Sequence, residues 1–356
     1  MTRAVVVGGG IAGVSAAAEL AARGAETVLV EAEQQLAHHT TGRSAAMYLP
    51  TYGGPVVRAL TAASLGDFAA LSVEHEAPLL SPRALVYVAG PGGTVDHLLD
   101  ESPTLRRAPA AEAVERCPAL RASWVTEAAV DDSGSDIDVL GLHQAYVRRL
   151  RTAGGEIVRG ERVTSIRRDG SGWRVGDRSC DVVVDAAGAW GDVVAVAAGV
   201  RPVGLAPLRR TLFTSPVDRP MAGWPLVAHA DWHFYFKPEG DQVLVSPADE
   251  TPSDPCDARP EEADVARAIE AVNEATDLGL RSVRASWAGL RTFTPDRSPV
   301  AGCRADEPGF AWSVGQGGYG IQMAPALART AAALALGEPV PEDIGVEAAA
   351  LSPDRF

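Results

Sequence analysis

A chain of 356 residues is long enough for two domains, and its 46% hydrophobic content is ordinary for a soluble globular protein. The formal net charge of −14 disfavours nucleic acid or an anionic membrane surface as a partner. Four cysteines, Cys117, Cys180, Cys256 and Cys303, stand far apart without a C-x-x-C pair, which argues against a zinc site, an iron–sulfur cluster or a disulfide framework.

Val5-Val6-Val7 suit a buried parallel strand. Gly8, Gly10 and Gly13 follow at the G-x-G-x-x-G spacing that turns a strand tightly into a helix whose N-terminal N–H groups face a phosphate. The alanine-rich run to Leu20 is that helix, Arg23-Gly24-Ala25 its stop, and Thr27-Val28-Leu29-Val30 a second buried strand ending at Glu31. An acidic residue roughly 20 positions past the glycines is placed to bind a ribose diol, so the unit predicts a dinucleotide site without separating NAD from FAD. The first strand starts within a few residues of Met1, leaving no room for a secretory leader, and no run approaches a membrane span. A cytoplasmic location without an integral membrane segment is therefore expected. His38 and His39 are adjacent, and neighbours on a strand face opposite ways, so no metal site is expected there.

Residues 79–90, LLSPRALVYVAG, predict a strand entering a second region. Apolar residues at helical spacing over 138–155 predict a helix stopped by Gly154-Gly155, and RVTSIRRDGSGWRV at 162–175 reads as a hairpin with its turn at Asp169-Gly170-Ser171-Gly172. CDVVVDAAGAWGD at 180–192 is an apolar strand running into small residues that permit close backbone approach to a ligand. A β-rich section covers 203–289, with Phe234–Lys237 and Gln242–Ser246 paired around Glu239-Gly240-Asp241. Lys237 is the only lysine, a feature read as genome composition. Finally, a strand passes through Gly315, Gly317, Gly318 and Gly320 into a helix. Two glycine-rich helix starts at opposite ends of one chain suit a long ligand, phosphates at one and a flavin ring at the other.

These stretches, together with TTGRSAAMY at 40–48, VVDAAGAW at 183–190, WAGLRTFTPD at 287–296 and GQGGYGIQ at 315–322, resemble the FAD-dependent D-amino-acid oxidase superfamily. Within it the chain most resembles the D-arginine dehydrogenases. The resemblance runs nearly end to end and implies FAD as cofactor. It implies an α/β fold with a discontinuous Rossmann-like FAD-binding domain (1–76, 134–202 and 290–356). A mixed α+β substrate domain built on an antiparallel sheet (77–133 and 203–289) accompanies it. Glu31 would bind the adenosine ribose and Val163 the adenine, with Thr41, Arg43, Ser44 and Ala45 along the pyrophosphate and flavin. Gly8, Gly10, Ile11, Ala12, Gly13, Ala187, Gly188, Gly317, Gly320, Ile321 and Gln322 would complete the cofactor site. The glycine loop at 315–320, opening a helix, would set a positive dipole end by the flavin.

Oxidation of an amino acid needs the carboxylate fixed so that Cα–H faces flavin N5 for hydride transfer, and bidentate guanidinium does this best. Arg291 and Arg210 match the clamp, Tyr235 and Tyr52 would add hydroxyls, with Tyr52 on a lid hinged at Gly53-Gly54, and the Gly318 carbonyl would accept from the amine. The D-arginine enzymes carry an acidic residue and a histidine where this chain has Leu85 and Met47, so apolar or aromatic D-amino acids are expected to surpass D-arginine, yielding imino and then 2-oxo acids. Monomeric sarcosine oxidases attach FAD to a cysteine shortly before a TPD motif; Gly289 stands there, so FAD is expected to be non-covalent. Glycine or N-alkyl amino acids such as sarcosine are an alternative substrate class, and a flavoprotein subunit of a heteromeric complex is an alternative of another kind. The small-molecule substrate is expected to pass its electrons to oxygen or a quinone, between which the sequence does not choose.

Overall fold

The computed structural model describes residues 1–102 and 104–356. Arg3–Val7 lies inside a six-stranded sheet ordered Val300–Cys303, Phe310–Val314, Val182–Asp185, Arg3–Val7, Glu26–Glu31 and Glu156–Arg159. All pairs are parallel except the edge pair Val300–Cys303 with Phe310–Val314. Alternate residues of the buried strands serve two cores, as a sheet covered on both faces requires. Ala4, Val6, Val182 and Val184 pack beneath helices Ile11–Ala22, Val139–Thr152 and Ala324–Ala335, whereas Val5, Val7, Val183 and Val314 pack on the other side against Ile166, Trp173 and Val194. Late strands thus return to the first sheet, and the nucleotide layer is built from separate segments.

Glycine is needed where this sheet meets its first helix. Gly8 has φ +112°, and a Cβ there would stand 2.5 Å from the Ala186 carbonyl oxygen; one at Gly13 would stand 1.8 Å from the Gly8 carbonyl oxygen. His143, buried on the helix Val139–Thr152, supports the same turn from below, its Nε2 lying 3.0 Å from the Gly9 carbonyl oxygen. A carbonyl only accepts, so Nε2 carries the proton.

A larger mixed sheet of nine strands runs Thr251–Pro252, Ala206–Pro216, Gln242–Ser246, Tyr235–Glu239, Leu226–His229, Leu85–Ala89, Glu127–Asp131 and Arg106–Ala108, with Ala285–Phe293 also paired to Ala206–Pro216. It is antiparallel apart from Leu226–His229 against Leu85–Ala89. The strand Ala285–Phe293 continues through the boundary expected at 289/290, tying the two halves of that partition together.

Three sequence expectations change here. Residues 79–90 form two strands in different sheets, Leu80–Pro82 beside Ser135–Ile137 and Leu85–Ala89 in the large sheet. Arg83 at the break bonds Asp136 and the Trp224 carbonyl, and buried Lys237 Nζ lies 2.7 Å from Asp136, so the lone lysine is an ion-pair partner that joins the two sheets. The carboxy-terminal glycine loop does not open its helix directly, because residues 321–323 intervene before Ala324–Ala335. Pro55–His75, 21 residues, is long and apolar enough to cross a membrane, contrary to the expectation that no run approaches such a span. Here its Val57, Leu60, Phe68 and Leu71 face the interior, Ser64 Oγ accepts from Ala326 N–H at 3.1 Å, and Arg329 pairs with Asp67, so it packs as a core-facing helix.

Burial holds the His143 pKa below its ordinary value of 6.5, despite the Gly9 contact that opposes the shift. A depressed histidine contributes stability that is complete above pH 6.5 and is lost as pH falls through its folded value. Melting temperature is therefore expected to decline as the medium is acidified below about pH 6.5. The variant His143→Gln should flatten that decline, and an unchanged profile in the variant would remove His143 from the account.

Candidate active site

One continuous cleft, with about 1890 Å³ of empty space including its open mouth, joins the two sheets. Its nucleotide end is walled by Gly8, Gly10, Ile11, Ala12, Glu31, Val163, Ala187 and Gly188. Helix Ile11–Ala22 begins with no side-chain cap from Gly10, and Thr41 Oγ1 takes the Ile11 N–H at 3.0 Å, leaving a helix start turned toward the cleft. Glu31 accepts from Gly9 N–H at 2.6 Å and from Glu33 N–H at 2.7 Å. A carboxylate has about four lone-pair sites, so this fixed group retains acceptors for a ribose diol. A Cβ at Gly188 would meet nothing within 4 Å, which leaves that wall open to a bound group. These residues fit FAD: the helix start would hold the pyrophosphate and Glu31 the ribose.

Some predicted contacts serve other ends. Gly13 does not line the cleft; its role is the close approach to Gly8. Arg43 lines it, but its guanidinium bonds the carbonyls of Ala258 and Ala288 at 3.0 and 2.9 Å and Asp257 at 2.5 Å, so it pins the loop 40–43 to the large sheet rather than reaching a phosphate. Ser44 Oγ accepts from Ala46 N–H, and Ala45 lies beside it in the wall. Gln322 is buried with both ends of its amide engaged, by Leu49 N–H and Thr61 Oγ1, while Gly317, Gly320 and Ile321 line the cleft next to it. His38 and His39 sit in a turn, not a strand, with rings 4.8 Å apart, so the alternation argument fails for them. Their ligand atoms and that of Glu33 lie within 4.8 Å of one another, with His39 Nε2 3.1 Å from Glu33.

The other end gathers Met47, Tyr52, Arg210, Tyr235, Arg291 and Gly318. Register explains the two arginines: Arg210 faces Gly289 and Leu208 faces Arg291 across one antiparallel ladder, so the guanidiniums sit diagonally on one face. Arg210 is buried; its Nε donates to the Asp249 carbonyl at 2.7 Å and its Nη2 to Glu250 at 3.2 Å, while Nη1 has no partner. Burial, and then the charge of Arg291, pulls the Arg210 pKa down. Arg291 Nη1 donates to Tyr52 Oη at 3.3 Å; burial opposes its charge, yet the surrounding oxygens of Tyr52 and Tyr235 raise its pKa on balance. Tyr235 Oη is buried without a partner. Gly318 is required beside them, because a Cβ there would lie 2.8 Å from the Arg291 guanidinium carbon.

Leu85 is corrected. It is fully buried in an apolar cluster with Leu49, Leu226 and Tyr235 and does not line the cleft: its strand is the next one out in the sheet, with Leu85 beside Leu226, and it is Leu226 that reaches the cleft. Sequence reasoning missed Trp232, Leu212, Thr292 and Gln316, all in the wall. Trp232 occupies a turn between two paired strands, where no periodicity marks it. Among the described residues, the carboxylates lining the cleft are Glu31, Glu33 and Glu161, all at the nucleotide end.

The sequence pattern of the family described as FAD dependent oxidoreductase matches residues 3–334. The hydrogen cyanide synthase subunit HcnC of Pseudomonas aeruginosa is 28% identical over 188 residues, 51% of this chain and 44% of that protein. The tRNA 5-methylaminomethyl-2-thiouridine biosynthesis bifunctional protein MnmC of a Caulobacter species is 30% identical over 99% of this chain and 57% of its own length. The chain thus spans about half the length of these curated relatives. Among solved structures, glycine oxidase from Geobacillus kaustophilus superposes with a TM-score of 0.86 at 20% identity, covering 100% of both chains. L-proline dehydrogenase from P. horikoshii gives 0.85 at 20%, covering 100% and 97%. Both likenesses bear on the fold.

Two outcomes follow from this geometry. Gly289 lines the cleft without a nucleophile and none of the four cysteines lines it, so acid precipitation should leave the flavin in the supernatant; yellow pellet would show a covalent bond. Leu85→Glu should destabilise the fold by several kcal/mol, because it buries an unpaired charge, instead of creating a cationic-substrate pocket. A well-folded Leu85→Glu enzyme with raised D-arginine efficiency would contradict the placement of Leu85.

Proposed function

Because this chain belongs to the FAD dependent oxidoreductase family, we propose that it oxidises the Cα–N bond of a free amino acid, with apolar or aromatic D-amino acids favoured over D-arginine. The observation that carries this reading is the pair of buried, unpartnered donors, Arg210 Nη1 and Tyr235 Oη, beside Arg291. A buried polar group left unsatisfied costs about 1–3 kcal/mol, more for charged groups. A carboxylate removes that cost by accepting from these donors, and two guanidiniums give it one orientation.

FAD, when bound, supplies the two-electron acceptor. The chain's own residues hold the carboxylate at Arg210 and Arg291, present the hydroxyls of Tyr52 and Tyr235, and bound the side chain with Met47, Leu49, Leu226 and Trp232. With no carboxylate lining this end among the described residues, a cationic side chain would be desolvated without a partner, which costs several kcal/mol. The D stereochemistry rests on the motif resemblance read from the sequence alone. A second reading, a subunit that works only inside a complex, is kept by the description of HcnC as a subunit.

Anaerobic mixing of the purified chain with D-amino acids, L-amino acids, glycine and sarcosine tests the reading. Bleaching of the flavin by apolar D-amino acids, faster than by D-arginine by at least about tenfold in kcat/KM, or ~1.4 kcal/mol, is expected. Bleaching by L-amino acids or glycine alone would overturn the D assignment, and bleaching by none would favour the subunit. Arg291→Ala should lose about 2–5 kcal/mol of transition-state binding, roughly 30- to 4,000-fold in kcat/KM, while retaining FAD.

A further inference from the structure

We propose that Trp232 is the specificity-determining wall of the substrate pocket, against which a planar or bulky apolar side chain packs. This rests on amino-acid oxidation by the same site. Trp232 lies in the turn between the antiparallel strands Leu226–His229 and Tyr235–Glu239, and its φ is +57°. A bulky side chain rarely adopts that left-handed conformation, and it persists only where the surroundings over-determine it, as they do at ligand sites.

The surroundings here are specific. Trp232 N–H donates to the His229 carbonyl at 2.9 Å, His229 N–H to the Phe234 carbonyl at 2.9 Å, and Asp231 N–H to His229 Nδ1 at 3.0 Å. The His229 ring stacks on His233 at 4.4 Å. A turn fastened this way turns the indole into the cleft, where its centroid is 5.2 Å from Tyr52, 5.7 Å from Tyr87 and 6.5 Å from Tyr235. The partners at Tyr87 and Tyr235 meet it edge-on at 83°, the arrangement aromatic rings prefer.

Tyr52 links this wall to the clamp, since it accepts the Arg291 hydrogen bond while its ring packs on Trp232. A substrate whose carboxylate is held by Arg291 has its side chain bounded by an indole on one side and by Met47, Leu49 and Leu226 on others. Glycine would leave that wall unused; phenylalanine would bury it. The wall therefore discriminates by side chain and not by the reacting centre.

The test uses the holoenzyme and the variants Trp232→Ala and Trp232→Phe. Anaerobic flavin reduction by glycine and by each enantiomer of phenylalanine gives a phenylalanine-to-glycine ratio of kcat/KM. Benzoate, a carboxylate with a ring but no amine, is titrated separately by the flavin absorbance change. Trp232→Ala should lower the ratio at least about tenfold and weaken benzoate similarly, and Trp232→Phe should restore most of both. Equal losses on glycine and phenylalanine, or an unchanged ratio, would overturn the proposal by showing a structural role or none. Should no amino acid reduce the wild-type flavin, the functional reading fails by itself. Benzoate then decides: weakening in Trp232→Ala sustains the wall, and unchanged or absent binding overturns it.

Discussion

Two guanidiniums on one face of one β ladder are the constraint around which the rest of this site is arranged. The register that sets Arg210 opposite Gly289 and Leu208 opposite Arg291 brings two like charges together in a part of the ladder that is shielded from water. Such a pair is tolerated only with anions or carbonyls at hand. Asp249 and Glu250 serve Arg210 from behind, and the loop through Gly318 passes close over Arg291 only because no Cβ is present. What remains unsatisfied, Arg210 Nη1 and Tyr235 Oη, belongs to residues that line the cleft. A site that lacks one negative charge suits the carboxylate of the proposed substrate.

The same strand also transmits position to the cofactor end. Thr40 Oγ1 donates to the Leu290 carbonyl at 2.9 Å, and Arg43 donates to the Ala288 carbonyl, so residues one before and three before Arg291 are held by the loop that follows the nucleotide-binding unit. Thr41 in that loop caps the Ile11 N–H. A continuous chain of hydrogen bonds thus runs from the phosphate-facing helix start to the arginine strand, and it explains why Arg43 has no guanidinium to spare for a phosphate. The relative placement of cofactor and substrate is set by backbone carbonyls whose donors come from one short loop.

Much of this was legible in the sequence where local rules decide. The fingerprint at Gly8 to Gly13, the acidic end of the second strand and the glycine loop near 317 are backbone demands, and backbone demands leave glycines at fixed spacing. The arginines were legible through the family resemblance, Arg291 also as a charge in an apolar strand context and Arg210 only as the end of LAPLRR. Leu85 was not, because whether a buried strand residue reaches a cleft depends on which strand lies next to it, and here Leu226 on the neighbouring strand and Leu49 stand between Leu85 and the open space. The strand break at Arg83 was hidden for a related reason: it is set by an ion-pair network with Asp136 and Lys237, residues 53 and 154 positions away in sequence terms that no window contains. Trp232 lay in a turn, where composition says little and conformation says most.

The chemistry then follows from what the substrate end does not contain. Among the described residues lining it, Arg210 and Arg291 cannot act as bases, and the ionisable neutral groups are phenols. The neighbouring Tyr319, packed on Tyr52, has its pKa pushed up to about 12 by burial and by Tyr52, so it stays protonated near neutrality. A general base must lie within hydrogen-bond reach and titrate near the working pH. Among the described residues no histidine or carboxylate lines that end, so on the proposed reading the substrate amine would reach the clamp already neutral or release its proton to water. On the proposed reading the chain's contribution is orientation: Arg210 and Arg291 would fix the carboxylate and Trp232 would wall the side chain, an arrangement from which a large part of a barrier can be removed without any proton transfer to protein.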